Sequence, residues 1–261
     1  VIGDSIVDEY ITCEALGMSQ EDPTIAVSPI EKDMFLGGGA IVAAHCRALG
    51  ADVKFISVIG KDNTSKFISE NLARMSVSAL LFEDISRPTS LKQRYRCKGK
   101  TLLRVNNLRH NSISPQIQKK IFKFLKKEIV HTDLILLSDF NYGCLPQDLV
   151  NKITKLASEN DVKIVADSQS SSQIGNIGRF KNTHLITPTE REARVSLRNN
   201  QDGLEVLANN LLAESKAKNM LLKIGEEGVI VYSSVLEGGI FADQINALNF
   251  NPVDVAGAGD V

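Results

Sequence analysis

Apolar runs of strand length alternate with amphipathic segments of helical length along most of this chain. Several of the short runs are apolar on both faces, which is typical of parallel strands that helices cover on two sides. These runs lie at residues 53–59, 134–137, 163–167, 184–186 and 220–224, and helical segments at 40–49, 115–130 and 146–159 precede the first three. The pattern predicts an α/β protein with a mostly parallel central sheet.

Two segments depart from this alternation. Residues 9–31 look extended and irregular, and residues 88–106 alternate as a hairpin does, around a turn at Lys98-Gly99-Lys100. They predict a small β flap on one main domain that spans residues 1–261. Residues 1–4 resemble the end of a buried strand, so we expect that strand to begin before Val1.

Composition narrows the class of protein. The 261 residues suffice for one large α/β domain, and 43% of them are hydrophobic. A net charge of −1 argues against nucleic acid or an anionic membrane as a partner, and no apolar run reaches the length of a membrane span. The cysteines and histidines are scattered, without a C-x-x-C pair, which favours a reducing cytoplasm and argues against a metal cage built by the protein.

The segment at residues 251–260, which reads Asn-Pro-Val-Asp-Val-Ala-Gly-Ala-Gly-Asp, carries the first candidate chemistry. Gly257 and Gly259 flank Ala258, and Asp260 follows directly. If a helix begins there, its backbone N–H groups can hold a phosphate, and Asp260 can take a proton from an attacking hydroxyl. The competing interpretation is a tight turn or a helix cap.

Other candidates lie near the start of the chain. Asp4 and Asp8 follow the first strand, and the cluster Gly37–Gly39 precedes a helical segment. The two carboxylates could accept hydrogen bonds from the hydroxyls of a polyol. Alternatively, Asp4 is a turn residue and the glycines only begin a helix.

The flap is strongly basic. Six basic residues fall within thirteen positions: Lys92, Arg94, Arg96, Lys98, Lys100 and Arg104. Alternation places the first three on one face of a strand. The charges either keep an edge strand soluble or clamp a substrate that already carries a phosphate, for which arginine offers bidentate contacts.

Taken in order, these motifs resemble those of the ribokinase-like, pfkB-type carbohydrate kinases, and among them the heptose 7-phosphate kinase branch. The resemblance covers nearly all of residues 1–261. It rests on Gly3-Asp4 with Asp8, Gly37–Gly39, Leu102-Leu103-Arg104-Val105, Leu137-Ser138-Asp139-Phe140, Thr187-Pro188-Thr189 with Glu192, Gly225-Glu226-Glu227-Gly228, and the segment from Asp254 to Asp260. It implies a three-layer α/β/α fold whose β flap acts as a lid.

The resemblance also implies roles for single residues. Asp260 would be the catalytic base, and Gly257, Ala258 and Gly259 would form the anion hole for the transferred group. The sugar would be held by Asp4, Asp8, Gly38, Gly39, Arg94, Arg96 and Arg104. The nucleotide would be held by Thr187, Glu192, Lys223, Gly225 and Gly228, with Glu192 near Mg²⁺ through water.

The implied activity is the ATP- and Mg²⁺-dependent phosphorylation of heptose 7-phosphate at its anomeric hydroxyl, giving the 1,7-bisphosphate. An exposed edge of the flap could pair with a second copy of the chain. A dinucleotide-dependent oxidoreductase is disfavoured, because no G-x-G-x-x-G follows the first strand.

The sequence departs from the family at four sites, which together comprise five residues. The family usually has Asn where Ile41 and Thr189 stand, Asp-Pro-Lys where Asp167-Ser168-Gln169 stands, and Thr where Ala256 stands. The departures at Ile41, Thr189 and Ser168-Gln169 support a second hypothesis, a sugar- or nucleotide-binding module whose chemistry is impaired. The chain ends at Val261, one residue past the implied base, so we expect the C-terminal part of the kinase domain to be missing from it.

Overall fold

The structure is a computed structural model, and it describes residues 1–170, 173–234 and 240–247. The described residues divide into two compact units, a first unit of residues 1–4 and 110–247 and a second unit of residues 5–109. The single domain expected for residues 1–261 remains a prediction.

The strands of the described residues are, in chain order, β1 (Ile2–Gly3), β2 (Ser5–Met18), β3 (Ile25–Gly38), β4 (Lys54–Ile59), β5 (Ser78–Glu83), β6 (Ser90–Cys97), β7 (Lys100–Asn107), β8 (Leu134–Asp139), β9 (Lys163–Ser168), β10 (Leu185–Ile186), β11 (Asn219–Lys223), β12 (Val229–Ser234) and β13 (Ile240–Ile245). The helices are α1 (Gly39–Ala48), α2 (Asn63–Arg74), α3 (Pro115–Glu128), α4 (Gln147–Glu159), α5 (Glu190–Leu197) and α6 (Leu204–Ser215). The predicted helices at 40–49, 115–130 and 146–159 are confirmed as α1, α3 and α4.

The first unit is built on a sheet with the strand order β13-β12-β11-β10-β9-β8-β1. Within this sheet, β1, β8, β9, β10 and β11 pair in parallel with one another in the order given. Strands β12 and β13 add antiparallel pairs at one end. The predicted mostly parallel sheet is therefore confirmed. Its strand β1 lies so close to β8 that a Cβ on Gly3 would overlap the backbone carbonyl of Ser138, which explains the glycine there.

Amphipathic helices supply the apolar cover of this unit. In α3, the buried residues Ile117, Ile121 and Leu125 recur every four positions and so share one face of the helix. Ser114 caps that helix through the backbone N–H of Ile117, and Pro115 occupies its first turn, where a missing N–H costs nothing.

The second unit contains a parallel pair, β4 with β5, and a separate four-stranded sheet with the order β3-β2-β6-β7, which we call the flap sheet. Strands β2 and β3 are antiparallel, β2 and β6 are parallel, and β6 and β7 form the hairpin that the sequence predicts. The segment at residues 9–31 is extended, as expected, and it forms most of the paired strands β2 and β3. Their pairing carries two register shifts, which account for the irregular pattern of its sequence. Much of β3 is exposed, so no buried face imposes alternation on its sequence.

Candidate functional site

The residues singled out from the sequence fall into a cluster in each unit and a third set at residues 257–260. Gly257, Ala258, Gly259 and Asp260 lie outside the described residues. Their roles remain predictions. The two clusters that the structure describes are taken one at a time.

In the second unit, Asp8 and Arg94 form an ion pair on the flap sheet. The parallel register sets Asp8 opposite Lys92 and Tyr10 opposite Arg94, so these side chains share one face of the sheet. Only 17% of the Arg94 side chain and 24% of the Asp8 side chain are exposed. The ion pair therefore restricts the orientation of both side chains.

Beside this ion pair, strand β3 ends in glycines and helix α1 begins. A Cβ on Gly37 would lie 2.5 Å from the Oδ2 atom of Asp8, so a side chain at this position would displace the carboxylate. Gly38 has φ 60° and ψ −147°, a conformation that side chains disfavour, and it directly precedes the first helical residue, Gly39. The glycine cluster and Asp8 thus belong together, as the sequence suggested.

The basic residues of the flap sheet surround one aromatic ring. The guanidinium carbons of Arg94 and Arg96 lie 5.1 and 5.5 Å from the centroid of the Tyr10 ring. Arg96 also donates a 3.0 Å hydrogen bond to the carbonyl of Gly99, and Arg104 on β7 is the exposed register partner of Arg94. Strand register confirms that Lys92, Arg94 and Arg96 lie on one face, opposite Asp8, Tyr10 and Thr12.

In the first unit, the carboxyl ends of β9, β10 and β11 bring together Asp167, Thr187 and Lys223. The Oδ1 atom of Asp167 accepts hydrogen bonds from the Thr187 hydroxyl at 2.8 Å and from the Lys223 ammonium at 3.0 Å. Burial raises the pKa of the Asp167 carboxyl, and the Lys223 charge opposes that rise. In parallel sheets this edge is where ligands bind.

The turn after β11 requires two glycines. Gly225 has φ 67° and Gly228 has φ 96°, both in the left-handed region. A Cβ on Gly228 would also lie 2.6 Å from the backbone nitrogen of Ala247. Gly225 therefore leaves open space close to the end of the strand that carries Lys223.

Glu192 lies in the first turn of α5 in a capping box. Its Oε2 atom accepts from the backbone N–H of Thr189 at 2.8 Å, and the Thr189 hydroxyl accepts from the N–H of Glu192 at 3.2 Å. Its Oε1 atom accepts from the N–H of Ser170 at 3.1 Å. Two amides therefore fix the carboxylate, and each oxygen keeps a lone pair that a water molecule can use.

The Glu192 carboxylate and its surroundings fit a contact to Mg²⁺ through water better than direct ligation. Across residues 1–170, 173–234 and 240–247, no group of three or more His, Cys, Asp or Glu side chains could hold a metal ion. Mg²⁺ keeps several waters and usually binds through one or two carboxylates together with substrate phosphates. Glu192 suits that mode because its carboxylate is fixed yet retains acceptor capacity.

Asp4 is buried against the turn that follows β8. Only 4% of the residue is exposed, and its carboxylate accepts hydrogen bonds from the backbone N–H groups of Phe140, Tyr142 and Cys144 at 2.9, 3.3 and 3.0 Å. Burial, together with the nearby charge of Asp139, raises the pKa of Asp4 to about 6. These contacts fit the alternative interpretation of Asp4 as a turn residue, because the carboxylate accepts from the amides of the turn after β8. The sugar-binding role of Asp4 stays a prediction.

Next to Asp4 lies a cluster that the sequence did not reveal. Asp139, at 1% exposure, accepts from Arg179 at 2.8 Å and from the Ser168 hydroxyl at 3.0 Å, both at its Oδ2 atom. The same Arg179 nitrogen donates to the carbonyl of Leu145 at 2.9 Å. The position of Asp139 at a strand end was a usable signal, but nothing in the sequence pointed to Arg179 as its partner.

Comparison with known proteins adds an independent line of evidence. The model of a family described as pfkB family carbohydrate kinase matches residues 1–261. A protein named bifunctional protein HldE from Trichlorobacter lovleyi is 27% identical over 264 residues, covering 100% of this chain and 52% of that protein. Another of the same name, from Geotalea uraniireducens, is 29% identical over 265 residues, with coverage of 100% and 52%. The chain therefore spans about half the length of the curated relatives it matches.

Solved structures show a similar fold. A structure of phosphofructokinase-2 from Escherichia coli in complex with fructose-6-phosphate has a TM-score of 0.71 at 15% identity, covering 99% of this chain and 82% of that one. A structure described as Sa239 has a TM-score of 0.76 at 19% identity, with coverage of 98% and 81%. Within the part of the chain that the structure describes, no helix is both long enough and apolar enough to span a membrane.

Proposed function

Because the chain belongs to the pfkB family of carbohydrate kinases, we propose that it transfers a phosphoryl group from ATP to a hydroxyl of a sugar phosphate. The family and the ribokinase-like α/β fold that the sequence predicted are confirmed. For the substrate we propose heptose 7-phosphate, converted to the 1,7-bisphosphate. The curated relatives named HldE support this choice.

The arrangement of charge on the flap sheet is the observation that carries the proposal. Asp8 offers a carboxylate for sugar hydroxyls, and Arg94 and Arg96 lie on the same face of the sheet. Guanidinium groups bind phosphate through paired N–H donors. A face with both groups fits a phosphorylated sugar better than a free one. Gly38, Gly39 and Arg104 complete the proposed sugar-binding set.

The chemistry proposed for the transfer depends on residues 257–260. Asp260 would take the proton from the attacking hydroxyl, and the backbone N–H groups of Gly257, Ala258 and Gly259 would hold the transferred group. Phosphoryl transfer needs positioning and charge neutralisation more than covalent chemistry. A short loop of small residues before one carboxylate suits both needs.

The nucleotide is assigned to the first unit. Thr187, Lys223, Gly225 and Gly228 lie at the carboxyl ends of β10 and β11, and the glycine turn lets a nucleotide approach the backbone closely. Glu192 would hold the waters of a Mg²⁺ ion, which would neutralise charge on the nucleotide phosphates. The proposed compartment is the cytoplasm, where ATP is available and scattered cysteines stay reduced.

A substrate panel on the full-length protein tests the proposal. ATP turnover should be seen with a sugar phosphate and should be slower with the free sugar. Replacing both Arg94 and Arg96 with Ala should raise KM for the sugar phosphate by about 10- to 100-fold, because two charge-assisted contacts are lost, and should raise KM for the free sugar far less.

The matched control replaces Lys98 and Lys100 with Ala, since these residues lie at the hairpin turn of the same flap and carry the same charge. The control should leave both KM values within about twofold. If the arginine variant raises KM for both sugars equally, Arg94 and Arg96 serve only to keep the strand soluble. Sugar binding by calorimetry without any ATP turnover would favour the impaired binding module instead.

We also propose that the chain forms a homodimer through the flap sheet. Strand β7 is an edge strand of that sheet, and its eight residues are exposed, including Leu102, Leu103 and Val105. An exposed apolar edge is a template for pairing with another strand. Sedimentation of the full-length protein over a range of concentrations would reveal a dimer, and a monomer at all concentrations would refute it.

A further inference from the structure

Two arginines of the flap sheet share one aromatic ring. Arg94 and Arg96 extend from β6, and Tyr10 extends from the neighbouring strand β2. Their guanidinium carbons lie 5.1 and 5.5 Å from the centroid of the Tyr10 ring, within the range of cation–π attraction. Strand register explains the arrangement, since Tyr10 is directly opposite Arg94 and Arg96 is its diagonal neighbour on the same face.

The ring itself is held in place from the other side. Phe35 on β3 packs against Tyr10 edge to face, with ring centroids 5.7 Å apart and an interplanar angle of 83°. This is a preferred geometry for aromatic pairs. Tyr10 is therefore a fixed surface between strands β3 and β6.

Each guanidinium has a second anchor. Arg94 is paired with the carboxylate of Asp8, and Arg96 donates to the carbonyl of Gly99. These two contacts restrict the orientation of each guanidinium group. The Tyr10 ring restricts how closely each group can approach strand β2. Bidentate binding of a phosphate needs guanidinium planes that are already oriented, because otherwise part of the binding free energy is spent on ordering long side chains.

A charge argument points the same way. Two guanidinium groups near one ring repel each other, and a dianion placed between or beside them removes that repulsion. The negative face of the tyrosine ring offsets part of the repulsion while no anion is bound. An aliphatic side chain at this position would fill space but would offset none of it.

From these contacts we propose that Tyr10 is a positioning residue for the phosphate of the sugar substrate, acting through Arg94 and Arg96. The inference rests on the proposed function, since it assumes a sugar phosphate. Tyr10 acts by presenting two guanidinium groups in one orientation, and its hydroxyl is not needed for that. The ring thereby favours phosphorylated sugars over free ones.

The test compares Tyr10→Leu with Tyr10→Phe in the full-length protein. Tyr10→Leu removes the ring face and should raise KM for the sugar phosphate by about tenfold with kcat changed less than about twofold. KM for the free sugar should stay nearly constant. Tyr10→Phe keeps the ring and should restore KM for the sugar phosphate to within about twofold of the wild-type value.

The matched control is Tyr95→Leu, because Tyr95 is the neighbour of Arg94 on the opposite face of the same strand. It should leave the ratio of the two KM values unchanged. A Tyr10→Leu variant that raises both KM values equally, or that lowers only the melting temperature, would show that Tyr10 merely packs the sheet and would overturn the inference.

The same measurements separate this inference from the proposed function. If the wild-type protein phosphorylates a sugar phosphate and Tyr10→Leu leaves the KM ratio unchanged, only the role of Tyr10 is wrong. If the wild-type protein turns over no sugar phosphate, the proposed function fails, and the role of Tyr10 falls with it.

Discussion

Replacing Asp260 with Asn should lower kcat by about 10²–10⁴-fold, the contribution expected of a positioned general base. Asn has nearly the same size as Asp but cannot accept the proton of the attacking hydroxyl. Because the nucleotide is assigned to other residues, ATP binding should persist in the variant. Initial rates with saturating sugar phosphate measure the first effect, and calorimetry with a non-hydrolysable ATP analogue measures the second.

The matched control for this variant is Asp243→Asn, which makes the same chemical change at an exposed position on strand β13. It should leave kcat within about twofold, as is usual for surface substitutions. If Asp260→Asn retains activity within a few-fold of the wild-type protein, Asp260 is not the base. If it abolishes ATP binding as well, Asp260 belongs to the nucleotide site rather than to the proton transfer.

The parts of the fold that the sequence predicted are those in which local pattern determines structure. Strand β8 and strand β9 are short apolar runs that are buried in a parallel sheet, so their sequences show them directly. Helix α3 has a capping serine, a proline in the first turn and an apolar residue every fourth position. Each signal lies within one element and needs no knowledge of its neighbours.

The flap sheet shows where local pattern fails. Strands β2 and β3 contain two register shifts, and much of β3 is exposed. A strand without a buried face has no reason to alternate, so its sequence resembles a loop. The basic face of β6 could be predicted from alternation alone, but the position of Tyr10 between two arginines depends on the register with β2.

Asp4 and Asp139 show that the contacts of a candidate site residue also cannot be predicted from local sequence. Both carboxylates follow strands, and sequence alone cannot tell a ligand-binding carboxylate from one that caps a turn. The three amides that bind Asp4 lie 136 to 140 positions further along the chain. The sequence leaves the glycine cluster at 37–39 open between two interpretations for the same reason, since the positive φ of Gly38 and the proximity of Gly37 to Asp8 are visible only in the structure.

Replacing Arg179 with Met should lower the free energy of unfolding by about 3–5 kcal/mol at pH 7.5, as expected when one partner of a buried ion pair is removed. Asp139 is 1% exposed and Arg179 is 18% exposed, so water can solvate the remaining carboxylate only poorly. The Arg179 nitrogen that binds Asp139 also binds the carbonyl of Leu145, and that contact is lost as well. Urea denaturation measures the change.

The loss should be smaller at pH 5. The pKa of Asp4 in the folded protein is about 6, above the ordinary value of 3.8, so the folded state binds the proton more tightly than the unfolded state. Asp4 therefore contributes stability in its protonated form, and that contribution declines as the pH rises from about 4 to about 6. Because Asp4 is mostly protonated at pH 5, it adds little negative charge beside Asp139, so removing Arg179 costs less there.

Two further variants isolate the pair. Arg191→Met makes the same change at an exposed position of helix α5 and should cost less than about 0.5 kcal/mol.

In an Asp139→Asn background, Arg179→Met should cost clearly less than it does alone, because no buried charge is left behind. An equal cost in both backgrounds would mean that Arg179 stabilises the turn after β8 through its contact with Leu145 and not through Asp139. A cost that does not change between pH 7.5 and pH 5 would show that the charge of Asp4 is not coupled to this pair.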